Sequence, residues 1–153
     1  MQFDQFGNLA PYEVQTIDLN TFEAFFVVAF AQSESRRRLF DNYLKYVQEL
    51  QSFAPTGFYQ WIDGSFITNK LNPRDIDFVT FLDWQDYRKN DTAISELRKR
   101  RFDKSSGMDG YFVEVFPALH KDFSNFQITR VEWLHLFATS RTSKSKGIIQ
   151  LNF

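Results

Sequence analysis

Apolar and polar positions alternate along the chain in short runs of two periods, one near two residues and one near 3.6. Residues 1 to 19 sustain neither period, and turn residues at Gly7-Asn8 and Pro11 predict extended or irregular chain there. Asn20 is placed to cap a helix from Thr21 to about Phe30, and Ser33 to cap a second helix or its continuation. Leu39, Phe40, Tyr43, Leu44, Val47 and Leu50 then recur at helical spacing and define one buried face, which Pro55 and Gly57 terminate.

Phe58 to Ile62 reads as a strand. Asp63-Gly64-Ser65 predicts a turn, Phe66 to Leu71 a short helical segment broken by Asn72-Pro73, and Asp75 to Leu82 a second strand. Asp83 and Asp86 resemble a capping pair opening a helix from about Trp84 to Arg101. Ser105 to Gly110 reads as a loop, Tyr111 to Phe116 as a third strand ended by Pro117, Phe123 to Ala138 as helical, and Gly147 to Phe153 as a last strand. Helices interleaved with strands predict an α/β or α+β layering. No repeat, low-complexity tract or Pro/Gly/Ser linker interrupts residues 1 to 153, so one domain is expected.

Composition sharpens this in three ways. The 19 Phe, 6 Tyr and 3 Trp predict an aromatic-rich core. The absence of cysteine excludes disulfides, thiolate metal sites and a cysteine nucleophile. The chain opens without a basic segment and apolar run, and its longest apolar stretch, Ala24 to Ala31, is too short to span a bilayer, so a cytoplasmic protein is expected. The formal net charge of −1 gives no support to counterion-driven binding of long nucleic acid. The clusters Arg36-Arg37-Arg38, Arg98-Lys99-Arg100-Arg101 and Lys144-Ser145-Lys146 are expected to be solvated faces, or the rim of a polyphosphate site.

The chemistry concentrates between Trp61 and Phe78. On a strand, Asp75 and Asp77 leave the same face while Ile76 and Phe78 point into an apolar layer. Two neighbouring carboxylates repel and call for a compensating cation or proton, and hard oxygen ligands suit Mg²⁺ or Mn²⁺. Gly64 permits close backbone approach, and the Ser65 hydroxyl with nearby amides makes an anion site. Capping by Ser65 would be compatible with that role. A phosphate binder beside a metal-binding pair is equipment for phosphoryl or nucleotidyl transfer. Glu114, between Val113 and Val115, is the expected third carboxylate; Asp109, in a loop beside Gly110, is the competing candidate. Arg130 and His135 share a spacing seen in some helical ribonucleases, but they are expected to be structural, and Trp61, Trp84 and Trp133 to be core.

Gly64-Ser65, then Asp75-x-Asp77 with apolar neighbours, then a later apolar-flanked carboxylate, resembles the DNA polymerase β-like nucleotidyltransferase superfamily. More narrowly, Trp61 to Lys70 with Pro73-Arg74-Asp75-Ile76-Asp77 is similar to an uncharacterised bacterial family, DUF6932, as are Gly7 to Pro11 and Lys146-Gly147-Ile148-Ile149. The resemblance implies a mixed sheet with flanking helices. It implies that Asp75 and Asp77 ligate the metal, and that Glu114 helps to activate an acceptor hydroxyl. It also implies that Gly64 and Ser65 hold the β- and γ-phosphates of a nucleoside triphosphate. Thr68 and Lys70 fall where small members often carry a phosphate-binding arginine. The expected activity is transfer of an NMP from an NTP to a hydroxyl of RNA, a protein or a small molecule. Single-domain members often act with a partner chain, as in toxin–antitoxin or phage-defence pairs, and a homodimer is the other expected assembly. The alternative expectation is a non-catalytic relative that binds a nucleotide or a protein.

Overall fold

The computed structural model describes residues 1–140 and 143–153. The chain opens with three short strands, β1 (Gln2–Phe3), β2 (Leu9–Ala10) and β3 (Val14–Thr16). Two helices follow, α1 (Leu19–Phe26) and α2 (Arg36–Gln51). Then come β4 (Phe58–Asp63), β5 (Ile76–Asp83), α3 (Trp84–Lys89), α4 (Asp91–Lys99), β6 (Met108–Val115), α5 (Phe123–Phe137) and β7 (Ile148–Asn152). Strands β1 and β2 form a small antiparallel hairpin. The other five make a mixed sheet in the order β3-β7-β4-β5-β6. Within it β4 runs antiparallel to β5 and β7, whereas β3 is parallel to β7 and β6 to β5. This is the expected α+β architecture, with helices on both faces of a mixed sheet.

The two faces are both apolar and bury different elements. On one, Ile62, Ile76, Phe78 and Phe112 meet Phe22 and Phe26 of α1, the stripe Leu39, Phe40, Tyr43, Tyr46, Val47 and Leu50 of α2, and Ile94 and Leu97 of α4. On the other, Trp61, Val79, Phe81, Val113 and Ile148 meet Phe126 and Phe137 of α5. Such double burial explains the near-continuous apolar reading of β5. Among the described residues no helix is long and apolar enough to cross a membrane.

Several boundaries differ from the sequence expectation for identifiable reasons. Helix α1 starts at Leu19 because the Asp18 carboxylate, not Asn20, accepts from the Thr21 amide at 2.7 Å. Ser33 does serve α2, accepting from the Arg36 amide at 3.1 Å. The helix expected from Trp84 to Arg101 breaks at Asn90. The side chain of Asn90 donates to the Phe53 and Asp86 carbonyls at 3.1 and 2.9 Å and competes with helical geometry there. Strand β6 begins at Met108, three residues before the expected start, because Gly110 is a strand residue rather than a turn residue. A Cβ there would stand 2.7 Å from Phe78 Cζ and 3.0 Å from Tyr46 Oη, so glycine makes room for those rings.

Arg36 departs from the expectation that its basic run is a solvated face or the rim of a polyphosphate site, although Arg37 and Arg38 are exposed. It is fully buried at the start of α2. Its Nη1 donates to the Phe26 and Phe66 carbonyls at 2.8 and 2.6 Å, and its Nη2 to those of Thr68 and Lys70 at 2.8 and 2.6 Å. The guanidinium carbon lies 3.8 Å from the centre of the Phe30 ring. Burial without a carboxylate partner pushes its pKa down to about 10, so the residue remains charged at neutral pH. Its four carbonyl partners tie the end of α1 to the segment that follows Gly64. Arg36→Met would leave these buried carbonyls unpaired, each orphaned group costing about 1–3 kcal/mol. The variant is expected to lose about 3 kcal/mol or more in chemical denaturation, whereas Arg37→Met, which removes an exposed pair with Glu23, is expected to change stability by less than about 1 kcal/mol.

Candidate functional site

The cleft begins where β4 ends. Gly64 adopts φ 76° and ψ −163°, open to glycine, and a Cβ would lie 1.7 Å from Asp77 Oδ2. Any side chain at 64 would therefore displace the Asp77 carboxylate. The chain then makes a single 3₁₀ turn, Ser65–Ile67, anchored by the buried Phe66 and Ile67. Phe66 stacks on Phe22 at 5.8 Å. The Thr68 hydroxyl donates to the Ser65 carbonyl at 2.8 Å and accepts from the Lys70 amide at 3.2 Å. No side chain caps this turn, so the capping role considered for Ser65 is not used.

Strand register brings the acids together. Asp63 pairs with Asp77 across β4 and β5, and Asp77 with Asp109 across β5 and β6. Asp63 and Asp77 alternate with Ile62 and Phe78, which face the other way, and thus share the face of Trp61 and Val79. Asp75 lies two residues before Asp77. All four carboxylates line one cleft of about 880 Å³ together with Gly64, Ser65, Thr68 and Lys70. The opposite wall is Tyr111, Trp133 and the C-terminal end of α5 from His135 to Phe137.

Glu114 is not in this group. On β6 it has the parity of Gly110 and Phe112, which face the α2 side of the sheet, and it pairs in register with Leu82. That is five residues along β5 from Asp77, about 16 Å at the usual rise. Its carboxylate binds Arg88 Nε at 2.8 Å. The expected convergence of Asp75, Asp77 and Glu114 is therefore corrected: Asp109 holds the third position. The misplaced start of β6 caused the error, since it put Asp109 in a loop.

Electrostatics set the centre of the cleft apart from its flanks. At one side Lys146 Nζ donates to Asp63 Oδ2 at 2.7 Å, both side chains being nine-tenths buried. At the other, Arg101 Nε stands 3.5 Å from Asp109 Oδ1. Between them, Asp75 and Asp77 accept no hydrogen bond and form no ion pair among the described residues. Burial, then the charges of Asp75, Asp63 and Asp109, push the Asp77 carboxyl up to about 7, against the pull of Lys146. Burial also raises Asp63 and Asp109. Asp63 Oδ1 and Asp109 Oδ1 are buried without a hydrogen bond. Among the described residues no group of three or more His, Asp or Glu side chains stands close enough, as placed, to hold a metal ion.

Reasoning from the sequence missed Asp63, Lys146 and Arg74. Asp63 was within reach, because it precedes Gly64-Ser65 on a strand whose alternate residue, Trp61, is core. Lys146 belongs to the Lys-Gly-Ile-Ile stretch, and its basic run reads as a solvated face or the rim of a polyphosphate site, not as the buried partner of a carboxylate. Arg74 lines the cleft as an exposed cation, a few residues past Thr68 and Lys70. His120 packs between Trp84 and Phe116 at 4.8 and 4.6 Å, outside the site. Arg130 lies over Trp61 at 5.1 Å. His135 does line the cleft.

A mixed sheet carrying an acidic row, beside a glycine-dependent loop and under a helix end, defines the class of protein at the level of its site. A family of unknown function, DUF6932, matches residues 1–152, and the chain belongs to that family. No curated protein and no solved structure matches it significantly.

The pH dependence follows from Asp77. Its carboxyl holds a proton in the folded chain up to about 7, while the unfolded chain releases it near 4. Between those values the folded state binds more protons, so this group's stabilisation is complete below about pH 4 and fades as pH rises towards 7. Asp77→Asn is expected to remove that slope and to be more stable than the wild type at pH 8, by about 1–3 kcal/mol. Parallel denaturation curves from pH 4 to 8 measure the difference. A wild-type-minus-variant difference that does not change with pH would refute the assignment.

Proposed function

We propose that the protein is a metal-dependent nucleotidyltransferase of the DNA polymerase β-like superfamily, which moves an NMP from an NTP to an acceptor hydroxyl. The observation that carries this reading is the acidic row Asp63-Asp77-Asp109 with Asp75, beside the Gly64-Ser65 loop, in which Asp75 and Asp77 form no ion pair among the described residues. The donors are all carboxylate oxygens, and the buried Asp63 Oδ1 accepts no hydrogen bond. This fits Mg²⁺ or Mn²⁺, held by Asp75 and Asp77. Such a metal would neutralise charge on the transferring phosphoryl group and lower the pKa of the attacking hydroxyl.

The chain's own residues supply the rest. Gly64 lets the triphosphate approach the backbone and Ser65 offers its hydroxyl. Lys70, with Arg74 in the place of the missing arginine, meets the β- and γ-phosphates. Thr68 shapes the loop through its bond to the Ser65 carbonyl. The acceptor oxygen attacks the α-phosphorus, the bond to the β-phosphate oxygen breaks, and pyrophosphate departs. Asp109, whose carboxyl is raised by burial, takes the proton from the acceptor hydroxyl. This role was expected of Glu114. The acceptor is RNA, a protein or a small molecule. A partner chain or a second copy would cover Ile128, Val131 and Leu136, which α5 leaves exposed, in a cytoplasmic toxin–antitoxin or phage-defence pair. A second reading, a non-catalytic nucleotide- or protein-binding relative, is favoured by the absence among the described residues of a ready-made three-ligand metal group.

Labelled NTPs incubated with the protein, Mg²⁺ or Mn²⁺, and cellular RNA and protein test the enzymatic reading. Asp77→Ala is expected to abolish label transfer, a loss of at least about 10³-fold, while the fold survives. Ser65→Ala is expected to be milder, about tenfold, because backbone amides remain. No incorporation by the wild type with any NTP, either alone or beside the product of its neighbouring gene, would favour the binding reading. Independently, Mn²⁺ is expected to raise the Tm of the wild type through mass action but not that of Asp75→Asn/Asp77→Asn. Equal shifts in the two proteins would remove the pair from the metal site.

A further inference from the structure

The stretch Gly7-Asn8-Leu9-Ala10-Pro11 has no part in the chemistry above, although the chain folds it against the cleft. Two backbone contacts hold it there. The Gly147 amide, next to Lys146, donates to the Leu9 carbonyl at 2.7 Å, and the Asn69 amide donates to the Gly7 carbonyl at 3.0 Å. The turn between β1 and β2 is thereby held between the loop that carries Ser65 and Lys70 and the segment that carries Lys146.

Asn8 is the residue that this turn presents to the cleft. Its backbone is engaged within the turn: the amide donates to Asp4 Oδ1 at 2.8 Å, and the carbonyl accepts from the Asp4 amide at 2.9 Å. Its side chain is not engaged. Asn8 is 8% exposed and lines the cleft. Its carboxamide makes no hydrogen bond among the described residues, yet it is not sealed off from the cleft. A polar group so far desolvated is stabilised only when a partner replaces the water it has lost.

The neighbours on that wall indicate the partner's chemistry. The Ser65 hydroxyl bonds no other group among the described residues, and Lys70 and Arg74, both exposed at the cleft, form no ion pair there. Lys146 and Arg101, in contrast, engage Asp63 and Asp109. Hydroxyl, ammonium, guanidinium and carboxamide all offer N–H or O–H groups to a ligand. Such a set matches a group made only of acceptors, and the charged members favour an anion. A phosphate chain is both.

We propose that Asn8 is a ligand-binding residue, whose carboxamide donates to the phosphate chain lying along the Gly64-Ser65 loop, so that the β1-β2 hairpin forms one wall of the site. The inference rests on the nucleoside-triphosphate reading above and adds to it a residue that lies more than fifty positions earlier in the chain than the loop.

The test measures binding and does not depend on turnover. The full chain is titrated calorimetrically with ATP and with inorganic tripolyphosphate, each with Mg²⁺. Asn8→Ala removes a hydrogen bond to a charged group and is expected to weaken both ligands by about tenfold. Asn8→Asp keeps the shape but sets a carboxylate against the phosphates. It is expected to weaken both further, and it carries the test if Asn8→Ala fails to fold. Because the carboxamide has no partner in the protein, the denaturation midpoint of Asn8→Ala is expected to match that of the wild type. Unchanged affinities in the variants would overturn the proposal and leave the triphosphate reading in place. A loss confined to ATP would also overturn it, since Asn8 would then meet the nucleoside. Binding of tripolyphosphate but not ATP, weakened in both variants, would keep the role of Asn8 and assign the site to inorganic polyphosphate. No binding of either ligand by the wild type would bring down the triphosphate reading, and the proposal with it. The expected losses in a protein that transfers no NMP would leave the proposal standing and count against the enzyme alone.

Discussion

Everything distinctive about this molecule follows from strand register. The pairing of β4 with β5 and β5 with β6 sets Asp63, Asp77 and Asp109 side by side on one face, at the roughly 4.8 Å spacing of neighbouring strands. Shifting one strand by a single residue would turn its acid to the other face. The row is imposed by apolar burial on both sides of the sheet. Ile62 and Phe78 are fixed against α1 and α2, and Trp61 and Val79 against the layer under α5. With both faces committed, the carboxylates at the strand ends have no freedom to separate. Hydrophobic packing thus holds like charges together, and burial first, then their repulsion, raises the proton affinity of Asp77.

Two buried cations stabilise this arrangement in different ways. Arg36 meets four carbonyl groups and no carboxylate, so it organises backbone: its planar fork fixes the path of the chain from Phe66 to Lys70. Lys146 meets a single carboxylate, so it organises charge. A lysine could not serve in place of Arg36, since an ammonium cannot span four carbonyls. The loop between Gly64 and Lys70 is consequently held from behind by Arg36, and its Gly64 end faces the acids.

What was legible in the sequence was local. The α2 stripe and the strand character of Phe58 to Ile62 follow from periodicity and stand in the structure; Asp75, expected to open the second strand, lies one residue before β5 and lines the same cleft as Asp77. The third carboxylate was not legible, because it depended on a boundary. Gly110 reads as a turn signal, yet it is a strand residue chosen for the space that Phe78 and Tyr46 occupy. Placing the strand three residues late exiled Asp109 and promoted Glu114, whose parity puts it on the wrong face. Arg36 and Lys146 were hidden for another reason. Each lies in a run of basic residues whose other members, such as Arg37 and Lys144, are exposed. Their partners lie 10 to 34 positions away for Arg36 and 83 for Lys146. No local pattern separates the buried member of such a run from its solvated neighbours.

The place of β7 in the sheet has a consequence for how the protein is made. This last strand lies between β3 and β4, and Lys146 immediately precedes it. Synthesis runs from the N-terminus, so β4, β5 and β6 are made before Lys146 and β7. Asp63 and Asp77 then face each other without their cation, with β3 unpaired and the β1-β2 hairpin lacking its Gly147 anchor. Until β7 follows, the sheet has an open edge at β4 and the carboxylate pair lacks its lysine. Strand β7 and the lysine before it then complete the sheet and deliver the missing charge together.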